Sequence, residues 1–281
     1  MGLTSALRTL KATTSSELKM IIRYVSIGGL IGFNIGVPLF FVFTSWIVAE
    51  IMVSTGSTYF VSLTGTGDYV GYTIVGFAFN SLIFSSVFGG GSAIRGEQEF
   101  GTAELVFVTP SNKVVWLLGK MFAGQIYGSI SFVTVFVLGT LMFGMEPVAA
   151  PNILWAIISI VLTMVALSSF GFILAGVCFF AKQEDAITQA LWPIMVFFCG
   201  LAFPVEILPQ WGQVISWIFP LTHGVNATRG AILFGLGISS PAMVSSLLTL
   251  LGQTAVLLPI GILLYLRLER RARKQGSLGT Y

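Results

Sequence analysis

Residues 95–120 read RGEQEFGTAELVFVTPSNKVVWLLGK, a polar stretch between two long apolar runs. The stretch contains three glutamates, Glu97, Glu99 and Glu104, in a chain of 281 residues of which only 9% are charged. If the flanking runs cross a membrane, this stretch lies at one membrane face, because it is too charged to be buried in lipid. It is also too short to form a domain. We therefore predict a surface segment that contacts another molecule.

The composition indicates a membrane protein. Soluble domains contain about 25% charged residues, far more than this chain, and hydrophobic residues make up 55% of it. Several uninterrupted apolar segments reach the roughly 20 residues that a membrane-spanning helix needs. The predicted fold is an all-α membrane protein with a single transmembrane domain over residues 1–281. Its six predicted spans are residues 25–49, 69–88, 114–143, 153–180, 186–203 and 243–266.

Two stretches near the beginning of the chain are predicted to lie outside the spans. In residues 1–24, Leu3, Leu7 and Leu10 share one helical face, which favours an interfacial helix and a cytoplasmic lead-in; a frayed polar tail is the alternative. Thr14 and Glu17 match a capping box, so a new helix is predicted to begin there. Residues 50–68 are rich in Gly, Ser and Thr and are predicted to form a loop.

Residues 204–241 have a different pattern. Prolines divide this region into pieces of which most are too short to span a bilayer, which predicts interfacial or re-entrant half-helices. Trp211 and Trp217 suit the level of the lipid headgroups.

The placement of Lys and Arg predicts the orientation. If both termini are cytoplasmic, 13 of the 14 basic residues lie inside and only Arg229 lies outside. This arrangement places residues 90–113 and the basic tail, residues 267–281, in the cytoplasm. The 204–241 region then lies at the outer face.

No energy source is recognisable in the chain itself. No nucleotide-binding loop and no metal-ligand cluster is present in the sequence, and His223 is the only histidine. The predicted spans also lack the mid-membrane charged residues of secondary transporters. Their mid-span polar residues, Asn34, Asn80, Gln125 and Gln253, either line a pathway or form hydrogen bonds between helices. Energy for any pumping must then come from elsewhere.

The 95–120 stretch has the features of a short helix. Gly96 and Gly101 permit a break before Thr102, where a helix would begin with Glu104 in its first turn. Thr109 precedes Pro110 and is therefore disfavoured in the helical conformation, which predicts the helix end. A solvated loop is the alternative.

Two groups of residues resemble a known family. Glu99, Gly101, Thr102, Glu104 and Leu105, followed by Thr109-Pro110 and Gly119-Lys120, resemble the cytoplasmic coupling segment of type-2 ABC-transporter permeases. About 100 residues later, Gly200, Phe203-Pro204, Leu208-Pro209, Trp211, Ile215-Ser216 and Pro220-Leu221-Thr222 resemble the family's outer signature.

The resemblance implies a fold and a mode of action. Members have an N-terminal interfacial helix, six spans and outer re-entrant helices, and they act as homodimers or as pairs of close paralogues in the plasma membrane. A separate ATPase subunit, which binds ATP and Mg²⁺, docks on the coupling segment, so no cofactor and no nucleic acid is expected on this chain. The residues implied in docking are Glu97, Glu99, Gly101, Thr102, Glu104, Leu105, Thr109 and Pro110. Those implied in an outer gate are Phe203, Pro204, Pro209, Trp211 and Pro220.

The function predicted from these observations is that of a permease subunit of an ATP-driven exporter. Its cargo would be lipid-like, drug-like or a glycan; aromatic residues such as Tyr127, Phe132 and Phe136 suit an apolar cargo, although they are equally compatible with lipid contact or packing. The main alternative is an ATP-independent secondary transporter or channel. A lipid-modifying enzyme is disfavoured, because its catalytic polar cluster is missing from the sequence.

Overall fold

The structure is a computed structural model that describes residues 3–24, 28, 32, 35–54, 58–109, 111–145, 151–180 and 184–275. Within these ranges the backbone forms helices and turns and no β-strand. The prediction of an all-α fold is therefore confirmed. The longer helices are α1 (Leu3–Tyr24), α2 (Val37–Ser54), α3 (Thr58–Thr64), α4 (Tyr69–Glu99), α5 (Ala103–Val108), α6 (Lys113–Phe143), α7 (Ile153–Cys178), α8 (Glu184–Phe198), α9 (Gln210–Ile218), α10 (Pro220–Leu233) and α11 (Pro241–Gln275).

Four of the described helices, α4, α6, α7 and α11, are long and apolar enough to cross a membrane. Two shorter apolar stretches, Val37–Ile51 in α2 and Ala186–Phe198 in α8, correspond to the first and fifth predicted spans. The multi-pass character is thus supported, while the count of six spans stays a prediction.

Helix α4 is the central element of the fold. The Asp68 side chain accepts a hydrogen bond from the Gly71 amide at 2.6 Å and begins the helix. Every residue from Gly71 to Ile83 is buried, because α2, α6 and α10 pack around this half. A π-helical turn, Phe84–Phe88, interrupts the regular hydrogen bonding before the helix continues.

The helix that contains the second predicted span does not end at residue 88. Helix α4 continues without a break to Glu99 and ends at Gly101, whose φ of +67° is readily adopted only by glycine. The continuation is stabilised by packing on α7, where a methyl group at Gly90 would overlap the carbonyl of Gly171. The polar residues from Arg95 to Glu99 are therefore part of helix α4 rather than of a loop.

Other predicted boundaries also require correction. Helix α1 runs through Thr14 without interruption, so no new helix begins there. The predicted loop 50–68 contains the end of α2 and helix α3. Residues 25–27, 29–31 and 33–34 of the first predicted span lie outside the described residues, as does Asn34 with them.

The later helices fit the prediction more closely. Helices α6 and α7 match the third and fourth predicted spans within two residues at each end. Helix α8 contains Pro193 and ends at Phe198, five residues before the predicted end. Helix α11 extends past the predicted end of the last span, so the described part of the basic tail is helical.

Polar side chains inside the bundle connect neighbouring helices. The Trp192 indole donates to the Asn80 side chain at 2.7 Å, which joins α8 to α4. The Gln125 amide donates to the Ser168 hydroxyl at 2.7 Å and to the Ser86 hydroxyl at 3.3 Å. For Asn80 and Gln125, the second of the two sequence interpretations, bonding between helices, is confirmed.

Candidate functional site

The predicted short helix in the 95–120 segment is present. Helix α5 spans Ala103–Val108, with Thr102 at its N-cap position and Glu104 in its first turn. Thr109 has a ψ of 145°, the extended conformation preferred before proline, and the helix ends there as predicted. Pro110 itself lies outside the described residues. The alternative of a solvated loop is wrong for residues 103–108.

Helix α5 has one buried face and one exposed face. Ala103 and Phe107 are buried, whereas Leu105 and Val108 are 70% and 83% exposed and Glu104 is exposed as well. Buried and exposed side chains alternate along a helix in this way when one side packs on the protein and the other side does not. We call Glu104, Leu105 and Val108 the exposed face of α5.

Phe107 fixes α5 to the helical bundle. Its ring packs edge-on against Trp116 of α6 at a centroid distance of 5.9 Å and against Phe179 after α7 at 5.4 Å. The Lys113 ammonium and the Arg273 guanidinium each lie 5.8 Å from the ring centroid. Such aromatic and cation–π contacts add to the burial of the ring. We call these five residues the Phe107 cluster; it joins α5 to α6, α7 and α11.

Lys113 also caps the C-terminal end of α5. Its ammonium donates to the carbonyl oxygens of Val106 at 2.6 Å and Thr109 at 2.7 Å, and to the hydroxyls of Thr109 and Ser111. The last carbonyls of a helix lack intrahelical partners, and a cation there also complements the helix dipole. The cap fixes the position of α5 relative to the first turn of α6.

A second group of charges lies at the other end of α5. The Lys120 ammonium forms ion pairs with Glu97 at 2.7 Å and with Glu17 at 3.2 Å, and all three side chains are at most 17% exposed. Glu97 also accepts a hydrogen bond from the Thr102 hydroxyl at 2.5 Å. We call Lys120, Glu97 and Glu17 the Lys120 cluster; it links α1, α4 and α6 and reaches the start of α5.

Helix α1 lies directly on α6 beside this cluster. The Thr14 hydroxyl donates to the Gly119 carbonyl at 3.0 Å. A methyl group at Gly119 would overlap the Thr13 hydroxyl, so a glycine is needed for this close approach. Thr14 and Glu17, which the sequence suggested as a helix cap, serve instead as contacts between α1 and α6.

The three glutamates of the predicted docking segment therefore have different environments. Glu97 is largely buried and bonded within the chain. Glu99 is 58% exposed and pairs with Arg95 at 3.1 Å, one turn earlier in α4. Glu104 is exposed and makes no ion pair with any part of the chain that the structure describes. Their roles in binding a partner stay predictions, but the carboxylate of Glu97 is already occupied.

The predicted outer-gate residues lie in and around two short helices. Pro209 precedes α9 and Pro220 is the first residue of α10, positions that suit the fixed φ of proline. Pro204 is buried, and the Phe203 ring lies 5.1 Å from that of Phe197 at the end of α8. Trp211 is 62% exposed. The role of these residues in an outer gate stays a prediction.

Helix α9 packs through its small residues. Gly212 and Ser216 are buried, and the Ser216 carbonyl accepts a hydrogen bond from the Thr222 hydroxyl at 2.7 Å. The large apolar side chains point outward, with Val214, Trp217 and Ile218 all more than half exposed. An outward apolar face is expected for a helix that contacts lipid or another subunit.

Arg229 is a residue that the sequence analysis did not identify as structurally important. Its guanidinium is buried and donates to the carbonyl oxygens of Tyr72 at 3.0 Å, Gly200 at 2.7 Å and Leu201 at 2.8 Å. Its central carbon also lies 3.4 Å from the centroid of the Tyr72 ring. Arg229 thus joins α10 to the first turn of α4 and to the turn after α8. Its position as the only basic residue on the predicted outer side was the available signal.

The family model described as ABC-2 type transporter matches residues 10–233, which include the 95–120 segment, the gate residues and Arg229. The chain belongs to the ABC-2 type transporter family. The family match extends from α1 to the last turn of α10, so it includes the Lys120 cluster, whereas Arg273 of the Phe107 cluster lies beyond it.

The chain of this ABC-2 type transporter is also similar to curated permeases of Escherichia coli. The probable multidrug ABC transporter permease YbhR of Escherichia coli strain K12 is 23% identical to it over 139 residues. The protein of the same name from Escherichia coli O157:H7 gives the same values. The matched part is 49% of this chain and 37% of the relative's length. The matched part of the chain therefore covers little more than a third of these relatives.

Proposed function

We propose that this chain is the membrane subunit of an ATP-driven exporter and that a separate ABC ATPase subunit docks on residues 97–110. Membership of the ABC-2 type transporter family supports the transport role. The single observation that carries the docking proposal is α5 itself, a short helix with an acidic and apolar exposed face that four other helices hold in place.

The docking surface would consist of the exposed face of α5 together with Glu99. Leu105 and Val108 would enter an apolar groove of the ATPase, and Glu99 and Glu104 would contact basic groups at its rim. A buried apolar centre with a charged rim is the usual anatomy of a protein interface. Glu97 is assigned to the Lys120 cluster rather than to this surface, because its carboxylate is bonded internally.

The two clusters would transmit the motion of the ATPase. ATP binding would close the ATPase pair and push on α5, and the push would pass through Phe107 to α6, α7 and α11. The Lys120 cluster would carry the same movement to α1 and α4. Tightly packed elements move as rigid bodies, so a small displacement at α5 would become a movement of whole helices.

The rest of the assembly follows from the same proposal. A second copy of the chain, or a close paralogue, would complete the pathway in the plasma membrane, with both termini in the cytoplasm. Phe203, Pro204, Pro209, Trp211 and Pro220 would form the outer gate. The cargo would be lipid-like, drug-like or a glycan. The name of the YbhR relatives, probable multidrug ABC transporter permease, supports the drug-like option.

Reversing the charge of Glu104 tests the docking role. The Glu104→Arg variant and wild type would be reconstituted with the ATPase subunit in inside-out vesicles, and a fluorescent amphipathic dye would be added to the outer medium as cargo. We expect at least tenfold less ATP-dependent dye uptake by the variant, with an unchanged amount of folded permease on size-exclusion chromatography.

Glu50→Arg is the matched control, because it makes the same charge change at another exposed glutamate, near the end of α2. It should transport like wild type. Wild-type transport by Glu104→Arg would contradict the docking role. Uptake that proceeds without ATP and without the ATPase subunit would instead favour the secondary transporter or channel.

A further inference from the structure

The last helix carries an exposed stripe that changes from apolar to cationic. Val256, Ile260 and Leu263 are each at least half exposed and follow one another at spacings of four and three residues. The same face continues through Arg267, Arg270, Arg271 and Lys274, all of them exposed. Residues three and four apart lie on one side of a helix. A single side of α11 therefore has an apolar half and a basic half.

The basic half of the stripe is not neutralised by the chain. Glu269 is the only acidic residue in this part of α11; it is buried and paired with Arg273 at 2.6 Å on the opposite side of the helix. The four exposed cations form no hydrogen bond or ion pair with any described residue. We call Arg267, Arg270, Arg271 and Lys274 the basic stripe of α11.

The position of the stripe matches the depth of a lipid headgroup layer. Residues 267–275 extend α11 by about 13 Å beyond the apolar part, at about 1.5 Å per residue. The headgroup layer on each side of a bilayer is about 5–8 Å thick, and charges interact over about 8 Å at physiological ionic strength. Arg267, Arg270 and Arg271 fall within this distance of Leu266.

We propose that the basic stripe of α11 binds the headgroups of anionic phospholipids while the apolar half of the same face contacts their acyl chains. The continuity of the two halves carries the proposal, because an anionic lipid leaflet presents an apolar layer beside a negative layer in the same order. Each lysine or arginine near an anionic leaflet strengthens binding to that leaflet by about fivefold. The proposal does not depend on the ATPase or on the direction of transport.

Lipid binding to the full chain tests the proposal. Purified wild-type protein in a mild neutral detergent would be titrated with phosphatidylglycerol or phosphatidylcholine, and bound lipid would be counted by native mass spectrometry. We expect phosphatidylglycerol to bind at least tenfold more tightly than phosphatidylcholine to wild type. The triple variant R267Q/R270Q/R271Q should lose this preference, and R267K/R270K/R271K should keep it because it retains the charge.

The control removes three exposed cations from α1 instead. The triple variant R8Q/K11Q/K19Q makes the same change in net charge, and it should keep at least a third of the wild-type affinity. Equal losses in the two glutamine variants would mean diffuse attraction to the whole chain and would overturn the proposal. Wild-type lipid binding by R267Q/R270Q/R271Q would also overturn the proposal. If that variant bound lipid normally but lost its ATPase subunit, the stripe would be a protein contact instead.

Discussion

Phe107 is the residue through which α5 is packed into the bundle. Its side chain is 1% exposed and contacts residues of α6 and α11 and the residue that follows α7. The exposed face of α5 can transmit a force only if its buried face is fixed. Phe107, and not an exposed acidic residue, therefore determines how firmly α5 is attached.

Truncation of Phe107 should detach α5. Replacing a buried phenylalanine with alanine costs about 3–5 kcal/mol, because the ring loses its contacts and a cavity remains. We expect Phe107→Ala to lower the thermal unfolding midpoint of the purified chain clearly. Phe100→Ala is the matched control, since that ring is 66% exposed and should cost less than about 0.5 kcal/mol. Equal midpoints for the two variants would contradict the packing role.

Substitution of Lys120 should destabilise the protein about as much as truncation of Phe107, but for an electrostatic reason. Replacing it with methionine leaves Glu97 and Glu17 close together, poorly solvated and without a counter-ion. Removal of one partner from a buried ion pair costs about 3–5 kcal/mol. We expect Lys120→Met to be strongly destabilised and Glu97→Gln to recover part of the loss in the double variant. The measurement is a double-mutant cycle of unfolding free energies; strict additivity would show that Glu97 and Lys120 do not interact.

At the scale of the elements, the unbroken helix α4 is the direct connection between the bundle and α5. Its first half is buried among other helices, and its last turn carries Glu97 and ends just before α5. A loop at residues 89–99 would absorb a displacement, whereas a helix passes it on. In the proposed mechanism, the contribution of α4 therefore depends on its continuity.

A proline inside α4 tests this continuity. Ser92 is exposed, so its replacement affects the backbone more than the packing. Proline in a helix interior removes a hydrogen bond and costs about 3 kcal/mol, whereas alanine favours the helix. We expect Ser92→Pro to abolish ATP-dependent dye transport while the complex still binds and hydrolyses ATP, and Ser92→Ala to behave like wild type. Normal transport by Ser92→Pro would exclude α4 as the connecting element.

Arg229 has a comparable role where α10, α4 and the turn after α8 meet. Arg229→Met would leave three buried carbonyl oxygens without their donor, and each unsatisfied group costs about 1–3 kcal/mol. We expect a lower unfolding midpoint and faster proteolysis in the turn around Gly200. Arg229→Lys should recover only part of the stability, because one ammonium cannot reproduce the planar fork of the guanidinium. Full stability of the methionine variant would contradict this assignment.

At the scale of the whole molecule, features that depend on neighbouring residues were predicted from the sequence more often than features that depend on contacts between distant residues. The limits of α5 follow from Gly101 and from the conformation that Pro110 imposes on Thr109, and both effects act between neighbouring residues. The extension of α4 past residue 88 was not predicted, and the glycines Gly89, Gly90 and Gly91 that begin it have a low helix propensity. It is stabilised instead by close packing on Gly171, which is distant in sequence.

The partners of the charged residues were hidden for the same reason. Glu97 looked like a surface acid, and nothing near it in the sequence indicates that Lys120 and Glu17 surround it. Arg229 could have been noticed, because a single basic residue in an otherwise apolar region is costly unless it is fully bonded. The docking and gate assignments come from the family resemblance, and only α5 has a geometry that supports one of them.

The most direct test of the account is a photo-crosslinking experiment at the exposed face of α5. A photoreactive phenylalanine analogue would replace Leu105, which is 70% exposed, or Val214 of α9, which is 64% exposed. After illumination of native membranes, we predict that the Leu105 variant forms a covalent product with an ABC ATPase subunit and that the Val214 variant does not. The account would be contradicted if the Leu105 variant captured no such subunit, or if the Val214 variant captured one. Its central claim is that the motion of an ATPase passes through α5 into the helices of this chain.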